Sequence, residues 1–207
     1  MKNLTLFTMI ASLTLISSCS DNDTDADINI KDEILSIEEI DDLKFLREEE
    51  KLARDVYLYS YSIYNLQIFK NISNSEQMHM DIVLELLNTY NLQDPASESI
   101  GEFNNPELQN IYNDLIQKSS ISMLDALIVG NIIEDLDIKD IALNEGRSDN
   151  VDILNVYSSL KCGSRNHLRN YYAQLIENDG IYSPSYISLE DFEAIITTSN
   201  EQCNINN

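Results

Sequence analysis

Apolar residues recur at steps of three and four along nearly the whole chain from residue 34 onward, which is the spacing of one helix face. The alternation of apolar and polar residues that marks half-buried strands is hard to find. Helix start and stop signals divide the pattern into six segments. We predict long helices over residues 37–66, 74–91, 121–145 and 149–178, and short ones over 105–118 and from Ser188. The sequence therefore predicts an all-α fold, an up-down four-helix bundle with a long crossover connection and extra short helices.

Acidic and imidazole side chains lie on helix faces that should be apolar. At 100° per residue, Glu76 and His79 project from the apolar stripe of the second helix, one turn apart. Glu134 lies on the apolar face of the predicted helix 121–145, with Asp137 at the edge of that face. His167 lies on the apolar face of the predicted helix 149–178. A buried carboxylate costs several kcal/mol unless it is paired or bound to a metal. These positions are therefore candidates for a buried polar site.

The first helix offers two candidates of the same kind. Glu50 lines up with Leu46 and Ala53, whereas the neighbouring Glu49 lies on the face of Leu52. Both faces are apolar, so the helical period alone leaves the choice between the two glutamates open.

Taken singly, Glu76 and His79 also have ordinary explanations. Glu76 follows Ser73 by three residues, as in a capping box, and His79 could be a hydrogen-bonded core histidine. All four long helices nevertheless carry such a residue, and helical bundles hold di-iron or di-manganese sites with inward Glu and Glu-x-x-His groups. The pattern favours a metal site at the middle of the bundle, where carboxylates neutralise the cations and imidazole adds neutral ligands.

Four blocks of sequence carry a family resemblance, at residues 48–57, 75–80, 125–138 and 163–169. In this order they resemble a ferritin-like family catalogued as a domain of unknown function (number 2202). The resemblance extends over about residues 40–200. It implies a ferritin-like four-helix bundle.

Rubrerythrins, which belong to the wider ferritin-like group, are similar around the first helix. There a ligand Glu stands three residues before an Ala, and a Tyr follows that Ala by four. Glu50, Ala53 and Tyr57 match this spacing, which favours Glu50 over Glu49. The metal ligands that the resemblance implies are Glu50, Glu76, His79, Glu134 and His167, with Asp137 as a further candidate.

The fourth ligand motif departs from the group, because Ser164 stands where a Glu is expected three residues before His167. One carboxylate is therefore missing from a symmetric dinuclear site. Asp137 could compensate, or the site could hold one metal or none. Gly163, in the middle of a predicted helix, could allow close helix approach or leave space for a small ligand beside His167.

The overall charge excludes two classes of function. Acidic residues outnumber basic ones 36 to 13, which gives a formal net charge of −23. A sequence-independent nucleic-acid binder needs the opposite sign to neutralise phosphates. Electrostatic binding to anionic lipid is disfavoured for the same reason.

The amino-terminal segment is typical of a bacterial lipoprotein. Residues 1–18 resemble a signal peptide that ends in a lipobox, with Cys19 as the lipidated residue, although an ordinary signal peptide with an incidental Cys gives the same pattern. We expect an acidic tether over 19–35, the helical domain over 36–203 and a short tail over 204–207. Attachment would be by the lipid anchor only, in the cell envelope, at the periplasmic or surface face and most simply at the outer membrane.

Two further cysteines, Cys162 and Cys203, could form one disulfide in such an oxidising compartment. The sequence leaves open whether they meet.

Two functions follow from these patterns. The first is an envelope-anchored, ferritin-like metal-binding protein, a ferroxidase-like or peroxidase-like oxidoreductase that acts on Fe(II) with dioxygen or peroxide. Its cofactor would be iron, as one ion or two, although Mn and Zn accept the same ligands. The alternative is a non-catalytic helical lipoprotein whose inward polar residues form a closed hydrogen-bond network and whose acidic surface binds a cationic partner. The sequence gives no signal for the oligomeric state.

Overall fold

The computed structural model describes residues 35–203, which fold into six α-helices with no β-strand in that range. None of these helices is both long and apolar enough to cross a membrane. The helices are α1 (Ile37–Tyr64), α2 (Gln67–Thr89), α3 (Pro106–Ser119), α4 (Met123–Glu145), α5 (Val151–Glu177) and α6 (Leu189–Ile196). The predicted all-α helical bundle is confirmed. The predicted signal peptide, Cys19, nearly all of the tether and the tail at 204–207 lie outside the described residues.

The four long helices form a bundle in which α1 and α5 each pack against both α2 and α4. Ser148 donates a hydrogen bond to Glu39, which joins the end of α4 to the start of α1. Asn150 donates to Tyr90, which joins the start of α5 to the end of α2. Neighbouring helices are therefore antiparallel, and α2 and α4 run in the same direction. This up-down-down-up order requires a crossover along the length of the bundle, and α3 forms part of it.

Side-chain caps fix most of the helix ends. The Ser36 hydroxyl accepts from the Glu39 amide while the Glu39 carboxylate accepts from the Ser36 amide, a complete capping box. Asn105, Ser122 and Asn150 cap α3, α4 and α5 in the same position, and Ser188 caps α6. These caps satisfy amides that the first helical turn leaves without partners.

The start of α2 differs from the prediction. Asn65 adopts a left-handed conformation with φ of 50°, which ends α1, and α2 begins two residues later at Gln67. Ser73 is thus inside α2, where its hydroxyl donates to the Lys70 carbonyl. The expected helix start at 74 and the capping-box role of Glu76 are both wrong, because the helical stripe continues back through Phe69.

The core has two apolar ends with a polar layer between them. Around Val56, Phe69 and Leu127, one cluster fills the end of the bundle where α1 meets α2. Around Leu46 and Val83, a second cluster fills the opposite end. The candidate ligands on all four long helices fall, in sequence, between the segments that supply these two clusters. The polar site is therefore enclosed by apolar side chains at both ends.

The carboxyl-terminal segment is fastened to α5. Cys162 and Cys203 are joined by a disulfide, with their Cα atoms 5.5 Å apart. Glu201 accepts hydrogen bonds from the guanidinium groups of both Arg165 and Arg169. These links hold the segment that follows α6 against the outer face of α5.

Candidate metal centre

The polar layer brings together five of the predicted ligands. His79 Nδ1 lies 3.1 Å from Glu50 Oε2 and 2.8 Å from Glu76 Oε2. His167 Nδ1 lies 2.8 Å from Glu76 Oε1 and 3.4 Å from Glu134 Oε2. Glu76 therefore presents one carboxylate oxygen to each imidazole. All four long helices contribute to this arrangement.

The tightest group of donors consists of Glu76, His79 and His167, whose ligand atoms lie within 4.8 Å of one another. The two imidazole rings stack with their centroids 5.3 Å apart. Glu50 and Glu134 flank this group, Glu50 next to His79 and Glu134 next to His167. All five side chains are buried, and the carboxylates are almost completely removed from solvent.

Many of the buried oxygens in this layer have no hydrogen-bond donor among residues 35–203. Glu50 Oε1, Glu76 Oε1, Glu134 Oε2 and Asp137 Oδ2 are all in this state, and so is His167 Nδ1. Glu76 Oε1 and His167 Nδ1 lie 2.8 Å apart without the alignment of a hydrogen bond. Buried polar atoms are rarely left unpaired, and a cation between such atoms would satisfy several of them at once.

The charges of the metal-free layer are balanced by protons. Burial lowers the pKa of His167, but the carboxylates of Glu76 and Glu134 outweigh it and raise the pKa to about 10. The pKa of His79 is raised well above its usual value for the same reason, with Glu50 and Glu76 as the partners. Burial raises the pKa of Glu76, yet the two imidazoles outweigh burial and lower the pKa below its usual value.

The pKa values of the two flanking carboxylates, Glu50 and Glu134, are raised, whereas that of Glu76 is lowered. Burial raises the pKa of Glu50 to about 7, although His79 partly offsets it. Burial raises the pKa of Glu134 to about 7 as well, and His167 is the opposing influence. At neutral pH, without a metal, the layer would therefore hold two imidazolium groups, an ionised Glu76 and partly protonated flanking carboxyls. A divalent cation would replace these protons.

Both imidazoles are oriented so that Nδ1 faces the carboxylates. His167 Nε2 lies 2.9 Å from Ser75 Oγ, a partner that can hold the proton on Nε2 and leave Nδ1 free to bind a metal. His79 Nε2 instead packs against Gly163, where an added Cβ would lie only 2.5 Å from it. The small residue expected to allow close approach thus makes room for the ring of His79. Helical periodicity gives no signal for Ser75, because its contact depends on how α2 and α5 align.

We expect Gly163→Ala to weaken metal binding at least about tenfold without unfolding the protein. The new methyl group would displace the His79 ring, while alanine improves helix propensity by about 1 kcal/mol. Isothermal titration with Mn(II) and thermal melts of the metal-free protein would measure the two effects separately. Gly146→Ala is the control, since its Cβ meets nothing closer than 3.4 Å. Unchanged Mn(II) affinity in Gly163→Ala would contradict the role assigned to the His79 ring.

A tyrosine pair adjoins one side of the layer. Tyr57 donates its phenol hydrogen to Glu134 Oε1, so that the other oxygen of Glu134 is left to face His167. The rings of Tyr57 and Tyr171 lie 5.0 Å apart, and the Tyr171 hydroxyl is buried without a hydrogen-bond partner in the described range. Tyr57 therefore acts as an orienting group for a candidate ligand.

Three other positions singled out in the sequence, Asp137, Ser164 and Glu49, make none of these imidazole contacts. Asp137 is buried one turn after Glu134, but it is not among the three donors that lie closest together. Burial raises the pKa of Asp137 well above its usual value, with Glu49 and Glu50 the next causes. Ser164 Oγ donates to the Leu160 carbonyl, so it does not replace the missing glutamate. Glu49 makes none of the imidazole contacts that Glu50 makes.

The helical domain is similar to known proteins in both sequence and structure. Residues 39–199 match the family described as "Uncharacterized protein domain (DUF2202)". The chain is 50% identical over 169 residues to the uncharacterized protein MJ0754 of Methanocaldococcus jannaschii, a match that covers 81% of this chain and 91% of that protein. It also resembles the crystal structure of hypothetical protein MJ0754 with a TM-score of 0.80, over 81% of this chain and 96% of that one. By the extent of these matches, the chain belongs to the DUF2202 family.

Proposed function

We propose that this protein is a ferritin-like metal-binding oxidoreductase that oxidises Fe(II). The observation that supports it most is the position of Glu76, which offers one carboxylate oxygen to each of two imidazoles in a buried layer. Glu50, Glu76, His79, Glu134 and His167 are the side chains that would hold the metal, with Glu76 in contact with both imidazoles. The four-helix order with its long crossover is also the order of ferritin-like bundles.

The donor set fits two divalent cations. Glu50, Glu76 and Glu134 supply three negative charges when ionised, and Asp137 supplies a fourth at the edge of the layer. Neutral imidazole and carboxylate together suit iron, and they also accept manganese or zinc. A bound redox-active metal would supply the electron transfer, while the protein supplies position and a dry surrounding.

The reaction that this layer supports best is oxidation of ferrous iron. Two Fe(II) ions lose one electron each, and dioxygen takes up these two electrons with two protons and leaves as hydrogen peroxide. With peroxide as oxidant, the same two electrons and two protons yield two water molecules. The chain's own groups hold the ions, and Ser75 and Tyr57 keep His167 and Glu134 in place. The predicted lipid anchor would locate this activity at the cell envelope.

The unpartnered atoms weigh against the non-catalytic alternative. A closed hydrogen-bond network would leave its buried members paired, because a partly satisfied network is costly. Glu50, Glu76, Glu134 and Asp137 each have a buried oxygen without a donor in the part of the chain that the structure describes. A binding site for cations accounts for these oxygens, whereas the ion pairs of Glu76 and Glu134 with His167 account for only part of them.

Anaerobic reconstitution tests the proposal. Chelator-treated protein titrated with Fe(II) should bind one to two ions per chain, and exposure to dioxygen should oxidise them with a new ligand-to-metal absorption band. His79→Ala should reduce the stoichiometry, whereas Glu85→Ala, an exposed position on the same helix, should not. The proposal would be wrong if the parent protein took up less than about one ion and His79→Ala changed nothing.

A further inference from the structure

A small cavity lies beside the polar layer, between α1, α3 and α4. Its volume is about 70 Å³, and it is largely enclosed. Most of its wall is aliphatic. The aliphatic side chains of this wall include Leu52, Leu108, Ile111, Leu115, Ile133 and Leu136, and Tyr186, from the segment before α6, also lines the cavity.

Two carboxylates next to the candidate ligands line the cavity. Glu49 and Asp137 both line it, and both are almost completely buried. Glu49 directly precedes Glu50 in α1, and Asp137 follows Glu134 by one helical turn in α4. Glu49 faces Asp140, with which it can share a proton, and one oxygen of Asp137 has no hydrogen-bond partner among the described residues. The part of the cavity wall that these two carboxylates form therefore belongs to the helical turns that carry Glu50 and Glu134.

We propose that this cavity is a binding site for dioxygen, which passes from it to the metal centre beside Glu49 and Asp137. This inference rests on the proposed function and selects one of its two oxidants. The wall of leucine and isoleucine offers no hydrogen bond along most of its length, so hydrogen peroxide or a hydrated cation would lose water contacts on entering. An apolar diatomic molecule loses none, and dry aliphatic cavities bind apolar gases.

The electron balance is that of the proposed reaction. Two Fe(II) ions give one electron each, and dioxygen takes two electrons and two protons and leaves as hydrogen peroxide. No bond of the protein is formed or broken in this step. The role of the cavity is only to bind dioxygen near the metal centre.

Xenon is a suitable probe, because it tests the cavity without metal or turnover. Crystals of the metal-free protein under xenon pressure should show xenon between Ile111, Leu115 and Leu136. Leu115→Phe should fill the cavity and remove this xenon. Leu115 is only partly buried, so the larger ring can be accommodated, and Leu136→Phe fills the space from the opposite helix if the first variant folds poorly.

Kinetics provide the second readout. In Leu115→Phe, the KM for dioxygen during Fe(II) oxidation should rise at least about fivefold, with the Fe(II) stoichiometry and the rate with hydrogen peroxide unchanged. Ile116→Phe is the matched control, because Ile116 packs against the same core from α3 but does not line the cavity. This control should retain both the xenon site and the parent KM.

The outcomes separate the two proposals. If the parent protein oxidises Fe(II) but shows no xenon, and the filling variants keep the parent KM for dioxygen, the cavity proposal is overturned and the proposed function stands. If xenon binds but the parent neither binds nor oxidises Fe(II), the proposed function fails and the assignment of dioxygen fails with it.

Discussion

Glu76→Ala is expected to weaken the binding of Fe(II) or Mn(II) by at least about 100-fold and to abolish the thermal stabilisation that the metal gives. Among residues 35–203, Glu76 is the one carboxylate that contacts both imidazoles, with 2.8 Å from Oε2 to His79 and 2.8 Å from Oε1 to His167. Its loss would remove the carboxylate that contacts both candidate imidazole ligands, whereas loss of an orienting partner alone typically costs about 10- to 100-fold in metal affinity. Titration calorimetry with Mn(II) and melts with and without metal would measure both effects.

Glu76→Gln separates charge from shape at the same position. The amide keeps the volume of the side chain but removes the ionised group on which the raised pKa values of His79 and His167 partly depend. We expect weak metal binding in this variant too, together with a lower pKa for both imidazoles in histidine NMR titrations. Glu85→Gln, exposed on the same helix, should retain parent affinity. Tight Mn(II) binding by Glu76→Ala would contradict the assignment of Glu76 as the shared ligand.

The helices could be predicted from the sequence wherever a capping residue and the apolar face of the helix indicate the same start. Ser188 caps α6 at the predicted start, whereas Ser122 and Asn150 cap α4 and α5 just inside the starts predicted at 121 and 149. At α2 the two signals conflict, because Ser73 and Glu76 imitate a capping box inside a helix that has already started at Gln67. The turn before it depends on the left-handed Asn65, a conformation that local periodicity does not encode.

The candidate site could be predicted because a carboxylate or imidazole on an apolar helix face is visible within one helix. Glu76, His79, Glu134 and His167 are all of this kind, and the structure brings them into one layer. Contacts that depend on the alignment of two helices could not be predicted in this way. Ser75 against His167 is such a contact, and Gly163 against His79 is another.

The choice between Glu49 and Glu50 shows the same limit in physical terms. Both lie on apolar faces of α1 and both are buried, so burial does not separate them. Only the rotation of α1 within the bundle directs Glu50 toward His79 and Glu49 toward the aliphatic cavity. From the sequence, the resemblance to rubrerythrins favours Glu50 over Glu49, whereas the helical period does not distinguish the two.

The metal-free protein is expected to lose stability as the pH rises from about 5 to 8, whereas the Mn(II)-loaded protein gains it. Glu50 and Glu134 have a pKa of about 7 in the folded state, above their ordinary value of 4.5. Their contribution to stability is therefore complete below pH 4.5 and is lost as the pH rises through 7, because the folded state binds more protons than the unfolded one. The pKa of His167 is raised from 6.5 to about 10, so its contribution is lost above pH 6.5.

Glu76 does not reverse this trend, since its pKa is lowered and its contribution is lost only as the pH falls below its ordinary value of 4.5. Melts in chelator should show the Tm falling by about 5 to 10 °C between pH 5 and 8, given about 2 to 4 °C per kcal/mol for a domain of this size. With Mn(II) the slope should reverse, because the metal displaces protons and binds more tightly at higher pH. The double variant Glu50→Gln and Glu134→Gln should flatten the chelator curve. A Tm in chelator that rises steadily from pH 5 to 8 would mean that the buried layer is not held together by protons.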